Sequence, residues 1–235
     1  MAKGNNRLSK WWKTERDKLS RIPGISKKTG YIWEYYKIWI IGIVLGIWFI
    51  TFAVRQYTTT LKDYWCFMVF ANTYADAGDH SQLWEDYVEY ADFDLKEKAV
   101  RFDAASYFDY LKGVTGNSYF EAFVAYADSG TLDAIIMGRD SLAALGKTGR
   151  LLDLGSEACS SIRAKYGDRF LYAVPLNEEY GGKEIPVCID ISDSRLVSEY
   201  GIYSEPCALG IGALSQNVES VELFLDFLFE DPQTK

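Results

Sequence analysis

The sequence contains a single histidine, His80, so a catalytic imidazole and a second imidazole partner cannot both come from this chain. It has no GxSxG, no Walker glycine loop and no HExxH, the common signatures of serine hydrolases, P-loop enzymes and zinc peptidases. Its four cysteines, Cys66, Cys159, Cys188 and Cys207, form no CxxC pair and have no histidine near them. Metal-ligand spacing is therefore missing. Each cysteine lies among apolar residues or on a periodic apolar face, which reads as buried free thiols or, in an oxidising compartment, one disulfide. Repeats and low-complexity tracts are also absent. These absences predict no enzyme, no cofactor and no metal.

What is present is unevenly spread. Of 235 residues, 49% are hydrophobic and 16% aromatic, which suits an ordered domain. Ile38 to Val54 reads IWIIGIVLGIWFITFAV without a charge, bounded by Lys37 and Arg55. As a helix this run spans roughly 25 Å, and Tyr35, Tyr36 and Tyr57 extend it into headgroup layers, so a transmembrane helix over 38–57 is expected. A core helix would carry a polar stripe, and a cleavable signal would show a small-residue processing site; neither pattern fits.

Residues 1–37 hold ten Lys or Arg against three acids. With the whole chain at −8, that +7 tail leaves −15 for residues 38–235. The charge step predicts a cytoplasmic tail (1–37), a stem (58–63) and an extracytoplasmic domain (64–230). Trp11, Trp12, Ile22, Ile25, Ile32 and Trp33 interleave with the basic residues, which suits contact with the lipid bilayer as well as topology. Nucleic acid is not an expected partner, because the folded part is acidic.

Beyond the stem, YWCFMVF (Tyr64 to Phe70) reads as a buried strand, Ser81 to Ala91 as a helix, and Ala99 to Phe102 as a second strand. Ser118 and Glu121 make a capping-box pattern for a helix that Gly130 stops. GTLDAIIMG (Gly130 to Gly138) contains a buried strand, after which Asp140 is placed to cap a short helix. LLDL (Leu151 to Leu154) reads as a short strand, Ser156 to Tyr166 as a helix and Arg169 to Leu176 as a strand. A hairpin at Glu179 to Lys183 leads into Glu184 to Ile191. Cys207 to Leu214 precedes a terminal helix beginning at Asn217 and stopped by Pro232. The alternation predicts an α/β fold: one lobe-like domain with a mixed sheet after a single N-terminal transmembrane helix.

From Tyr119 onward the order of features resembles extracytoplasmic solute-binding proteins of ABC importers, of the type 2 periplasmic-binding-protein-like class. The residues that carry it are GTLDAIIMG, DSLAALGKTGRLLDL (Asp140 to Leu154), AVPL (Ala173 to Leu176) and ALGIGALSQNVESVELFLDFLFE (Ala208 to Glu230). The tail and anchor, KKTGYIWEYYKIWIIGIV (Lys27 to Val44), look like those of membrane-anchored proteins of Gram-positive bacteria with degenerate domains of this kind. The resemblance implies that the last strand and helix return to the first lobe. The interval between Leu176 and Ala208 is too short for a second lobe, so the closing clamp is expected to be missing and any small solute to bind weakly.

Open α/β sheets place ligands at the carboxyl ends of strands. That rule selects Asn72 and Thr73 after the first strand, Gly138 and Asp140 after the third, and Asp190, Ser192 and Asp193 after the hairpin strand. The competing reading makes them turn and cap residues. The acidic pairs Asp190 with Asp193 and Glu178 with Glu179 read as solvated surface in a chain with 33 acids. Three functions are compatible: a non-catalytic binding or interaction module with an envelope protein partner, accessory to a transporter or other envelope complex; a solute sensor signalling through a partner; or an envelope enzyme.

Overall fold

The structure is a computed structural model that describes residues 13–14, 16–17, 20, 25–60, 63–176 and 181–230. It divides into two compact units, Met1–Lys62 and Asp63–Lys235. The first contains helix α1, Ile25–Thr60. No proline falls within it, so nothing ends the helix at the expected stem, whose backbone remains helical to Thr60. Its described side chains run unbroken from Lys37 to Phe52, and apolar ones such as Ile38, Trp39, Ile43, Ile47 and Phe49 are exposed. Among the described residues no helix is long and apolar enough to cross a membrane; Ala53 and Val54, the end of the uncharged run, lie outside the described side chains.

The second unit is α/β with one mixed six-stranded sheet. Its elements are β1 Tyr64–Phe70, α2 Gln82–Ala91, β2 Ala99–Asp103, α3 Ser118–Asp128, β3 Ala134–Gly138 and α4 Arg139–Leu145, then α5 Ser160–Tyr166, β4 Phe170–Ala173, β5 Ile185–Asp190, α6 Arg195–Ser198, β6 Cys207–Ile211 and α7 Val218–Phe229. The strand order is β2-β1-β3-β6-β5-β4. β1 pairs in parallel with β2 and β3, whereas β6 runs antiparallel to both β3 and β5, and β4 antiparallel to β5.

Helices cover both faces of the sheet, which explains why β1 is apolar without alternation. Cys66, Met68 and Phe70 belong to a core cluster with Tyr87, Ile162, Leu196 and Phe224 of α2, α5, α6 and α7. Phe67 and Val69 belong to the opposite cluster with Phe123 of α3 and Leu142 of α4. Tyr87 crosses the first core, donating its hydroxyl hydrogen bond to the Ser220 carbonyl at 2.7 Å. The second core is tied down by Asp133, whose carboxylate accepts from the Phe67 N–H at 2.8 Å, the Ser215 hydroxyl at 2.6 Å and the Asn217 amide.

Several local readings are corrected. The cap of α3 is Asn117, whose Oδ1 accepts from the N–H groups of Tyr119 and Phe120; Ser118 is the first helical residue. Asp140 does not cap α4 but sits in its first turn, with Gly138 at the cap position. LLDL forms only an isolated bridge, Leu151 to Gly212, because Leu151 and Leu154 reach the core from irregular backbone. Asn217 does begin α7, but its side chain serves Asp133 rather than the helix end. The hairpin tip at 177–180 and Pro232 lie outside the described residues; Gly181 and Gly182 follow that tip with positive φ.

Candidate functional site

The chain moves from β1 outward to β2, then back across to β3 on the other side of β1. The carboxyl ends of β1 and β3 therefore flank a topological switch point, where the connections leave in opposite directions and open a crevice. A cleft of about 660 Å³ lies there, lined by residues 72–74 after β1, parts of 107–117 after β2, residues 138–141 after β3, and Tyr203, Glu205 and Pro206 before β6.

Each wall has a local cause. Asn72 adopts φ +61°, a conformation that asparagine tolerates better than most residues. Its Nδ2 donates to the Phe108 carbonyl at 2.8 Å and its Oδ1 accepts from the Phe108 N–H at 3.1 Å. The loop after β2 is thereby pinned against the end of β1. Tyr203 is buried, its hydroxyl within 3.1 Å of the Ala71 carbonyl and 2.9 Å of the Ile136 carbonyl, joining the ends of β1 and β3. Burial pushes its ionisation well above the usual phenol range.

In the same loop as Phe108, Asp109 accepts from the Ser141 hydroxyl at 2.9 Å and the Leu111 N–H at 3.0 Å, and lies 3.1 Å from the Lys112 ammonium. Its partial burial favours the neutral acid, but these bonds outweigh that effect and hold the carboxyl below its ordinary range. Arg139 reaches Asp140 and Asp190, each at 3.4 Å. Tyr74, Tyr107 and Leu111 present exposed apolar surface at the cleft, at 70%, 71% and 62% exposure.

Of the residues selected from the sequence, Asn72, Thr73, Gly138 and Asp140 line this cleft. Asp190 ends β5 at the same edge of the sheet and joins the site only through Arg139. Its carboxyl is partly buried, yet bonds from Ser192 and Arg139 lower its pKa. Ser192 is occupied by Asp190 and the Cys207 backbone. Asp193 is not part of the cleft: it pairs with Arg169, whose guanidinium lies over the Phe229 ring. Nor does it cap α6, which starts after Ser194 with no side-chain cap.

Sequence reading missed Tyr74, Tyr107, Asp109, Leu111, Lys112, Arg139 and Glu205. The strand-end rule contained the needed signal, because applied to β2 as well it points directly at the segment after Asp103. Gly138 is the most informative selected residue. Its φ of −51° suits any residue, and a Cβ there would meet nothing within 4 Å. Serine or aspartate would cap α4 at least as well, so neither turn nor packing demands glycine.

The arrangement offers tyrosine faces, paired charges and an open mouth. Among the described residues no group of three or more His, Cys, Asp or Glu could hold a metal ion, and the Ser141 hydroxyl donates to Asp109 while accepting from the Tyr110 N–H. Compared with protein-family models, with curated proteins and with solved structures, the chain matches none.

Proposed function

We propose that this protein is a non-catalytic, membrane-anchored binding module that docks an envelope protein partner in the cleft at the β1/β3 switch point. The observation that carries the reading is the coincidence of that cleft with Gly138, a glycine that its own backbone does not require. A missing side chain beside open space lets a ligand approach the backbone. The exposed Tyr74 and Tyr107 add large, stiff contact surfaces of the kind that dominate protein interfaces.

The anchor is α1. Its uncharged run and exposed apolar side chains suit lipid, and the +7 tail sets the amino terminus in the cytoplasm. The likeness to solute-binding lobes enters the proposal in the same way. It is supported by the return of β6 and α7 from the end of the chain to the middle of the layered unit. With one sheet and an open cleft, a small solute stays half solvated, whereas a protein surface can cover the opening.

Photocrosslinking in intact membranes tests this. A photoreactive residue in place of Tyr107 should capture a defined envelope protein, and one in place of Leu214, exposed beyond the other end of β6, should not. Equal capture at both positions, or none at Tyr107, would remove the cleft from the function. Strong thermal stabilisation by a sugar, amino acid or short peptide would return the protein to solute binding.

A further inference from the structure

Resting on that reading of the cleft, we propose that the partner inserts a basic, extended peptide segment. A second hollow of about 370 Å³ is lined by Asp76, Gly78, Asp79 and residues 101–105, only two residues away along both lining segments. The two hollows lie in a row along the carboxyl ends of β3, β1 and β2, a trough in two separate parts that a chain segment can span and one compact solute cannot.

Its lining is acidic on balance, with Asp76, Asp79, Asp103, Asp109, Asp140 and Glu205 against Arg101, Lys112 and Arg139. Asp76, Asp79, Asp103 and Glu205 form no close ion pair among the described residues, although the first three accept backbone N–H groups and the charges of Asp103 and Glu205 act on Arg101 and Lys112, and Asp140 is 81% exposed with only the long contact to Arg139. Each of the three cations has a partner. Lys112 pairs with Asp109, Arg139 with Asp140 and Asp190, and Arg101 lies over the Phe67 ring. Beyond Lys62 the chain carries 30 acids against 13 basic residues, so the unit as a whole attracts cations.

The tyrosines narrow the partner further. Exposed rings flanked by carboxylates bind guanidinium and ammonium groups through their faces, while the methylene stems of Arg and Lys pack along the same surface. Leu111 extends that apolar strip. A basic segment therefore satisfies both features, whereas an acidic one would meet a surplus of carboxylates and a purely apolar one would bury them.

The test uses the full chain in phosphatidylcholine nanodiscs and fluorescence anisotropy of a labelled peptide alternating glycine and arginine. Binding should weaken with salt, and the peptide with glutamate for arginine should not bind. The double variant Asp140→Asn/Glu205→Gln and the double variant Tyr74→Ala/Tyr107→Ala should each weaken binding by about tenfold. Glu157→Gln/Glu219→Gln, exposed acids away from the trough, should change it by less than about twofold. All these side chains are exposed, and circular dichroism checks that the variants fold. Equal losses from both acidic pairs would mean bulk attraction only and overturn the proposal, as would indifference to the tyrosines. Competition by spermine at equal concentration would replace the peptide by a small organic cation. No peptide binding, with Tyr107 crosslinking intact, would defeat the basic segment and leave the docking site standing.

Discussion

Asn72 holds Phe108 by both ends of its side-chain amide, donating to the carbonyl at 2.8 Å and accepting from the N–H at 3.1 Å. One residue after β1 thus fixes the loop after β2, and with it the wall that carries Tyr107, Asp109 and Leu111. Asn72→Gly keeps the φ +61° backbone free of strain and deletes only the clamp. It should cost about 1–3 kcal/mol, with amide exchange rising in 104–117 more than in the strands. Unchanged exchange in that loop would show that Asn72 is a turn residue and nothing more.

Asp133 should matter more to stability than any acid in the cleft. It is 1% exposed and satisfies donors from β1 and the segment before α7 without a cation. Burial raises its pKa, although bonds from Ser215, Phe67 and Asn217 work against the rise. Asp133→Ala leaves those donors buried and unpaired, a loss of about 3 kcal/mol, read from urea midpoints of the solubilised full chain. The sign of the pH effect follows. The folded state holds this proton more tightly than the unfolded chain, so the wild-type contribution falls as pH rises above the ordinary carboxylate range.

The opposite sign is expected of Asp193. The Arg169 guanidinium beside it lowers its pKa, so its stabilisation is complete above the ordinary carboxylate range and is lost as pH falls through the depressed value. The side chain is 65% exposed, which limits the effect at neutral pH to less than about 1 kcal/mol. Thermal midpoints of Asp193→Asn and wild type should differ slightly at neutral pH and converge in acid. A gap that widened on acidification would contradict the pairing.

Two glycines should respond in contrasting ways. A Cβ on Gly212 would stand 2.2 Å from the Leu132 carbonyl oxygen, a backbone atom that cannot swing aside. Gly212→Ala should therefore cost more than about 3 kcal/mol or prevent folding. Gly138→Ala meets open space and should change the urea midpoint little, while reducing crosslinking from Tyr107. A stable Gly212→Ala protein would falsify the packing at the end of β6.

All four cysteines are free and buried. Burial pushes the thiols of Cys188 and Cys207 up to about 12 and raises those of Cys66 and Cys159. Maleimide at neutral pH should label none of them in the native protein and all four after denaturation. That silence makes added cysteines clean reporters of topology. On intact protoplasts an impermeant maleimide should label Thr60→Cys and reach Lys10→Cys only after permeabilisation. The reverse result would invert the orientation.

Local pattern was legible where burial repeats along the chain. Tyr64 to Phe70 emerged with both ends correct because a strand covered on two faces shows no polar residue until it leaves the sheet. Leu151 to Leu154 misled for the same reason, since a loop plugging a core is apolar too. The cap of α3 was displaced by one residue because Asn117 and Ser118 are both capable caps, and only the backbone angles at Asn117 decide between them. The loop from Ala104 to Asn117 carried no periodicity, so the end of β2 marked the segment but not which of its aromatic residues reach the cleft, which depends on the clamp by Asn72.

By itself the sequence determined the charge step at the amino terminus, the long apolar run, the α/β alternation and the strand ends worth inspecting. These depend on neighbours within a turn or two, where periods of 3.6 and 2 operate. Only the tertiary structure decided that β6 enters antiparallel between β3 and β5, and that the carboxyl ends of β1, β3 and β5 share one edge. It likewise decided that Asp190 meets Arg139 while Asp193 turns to Arg169. Such pairings join residues as far apart as the 133 positions between Tyr87 and Ser220. Their geometry follows from which faces must be buried together, a condition that no local stretch of sequence contains.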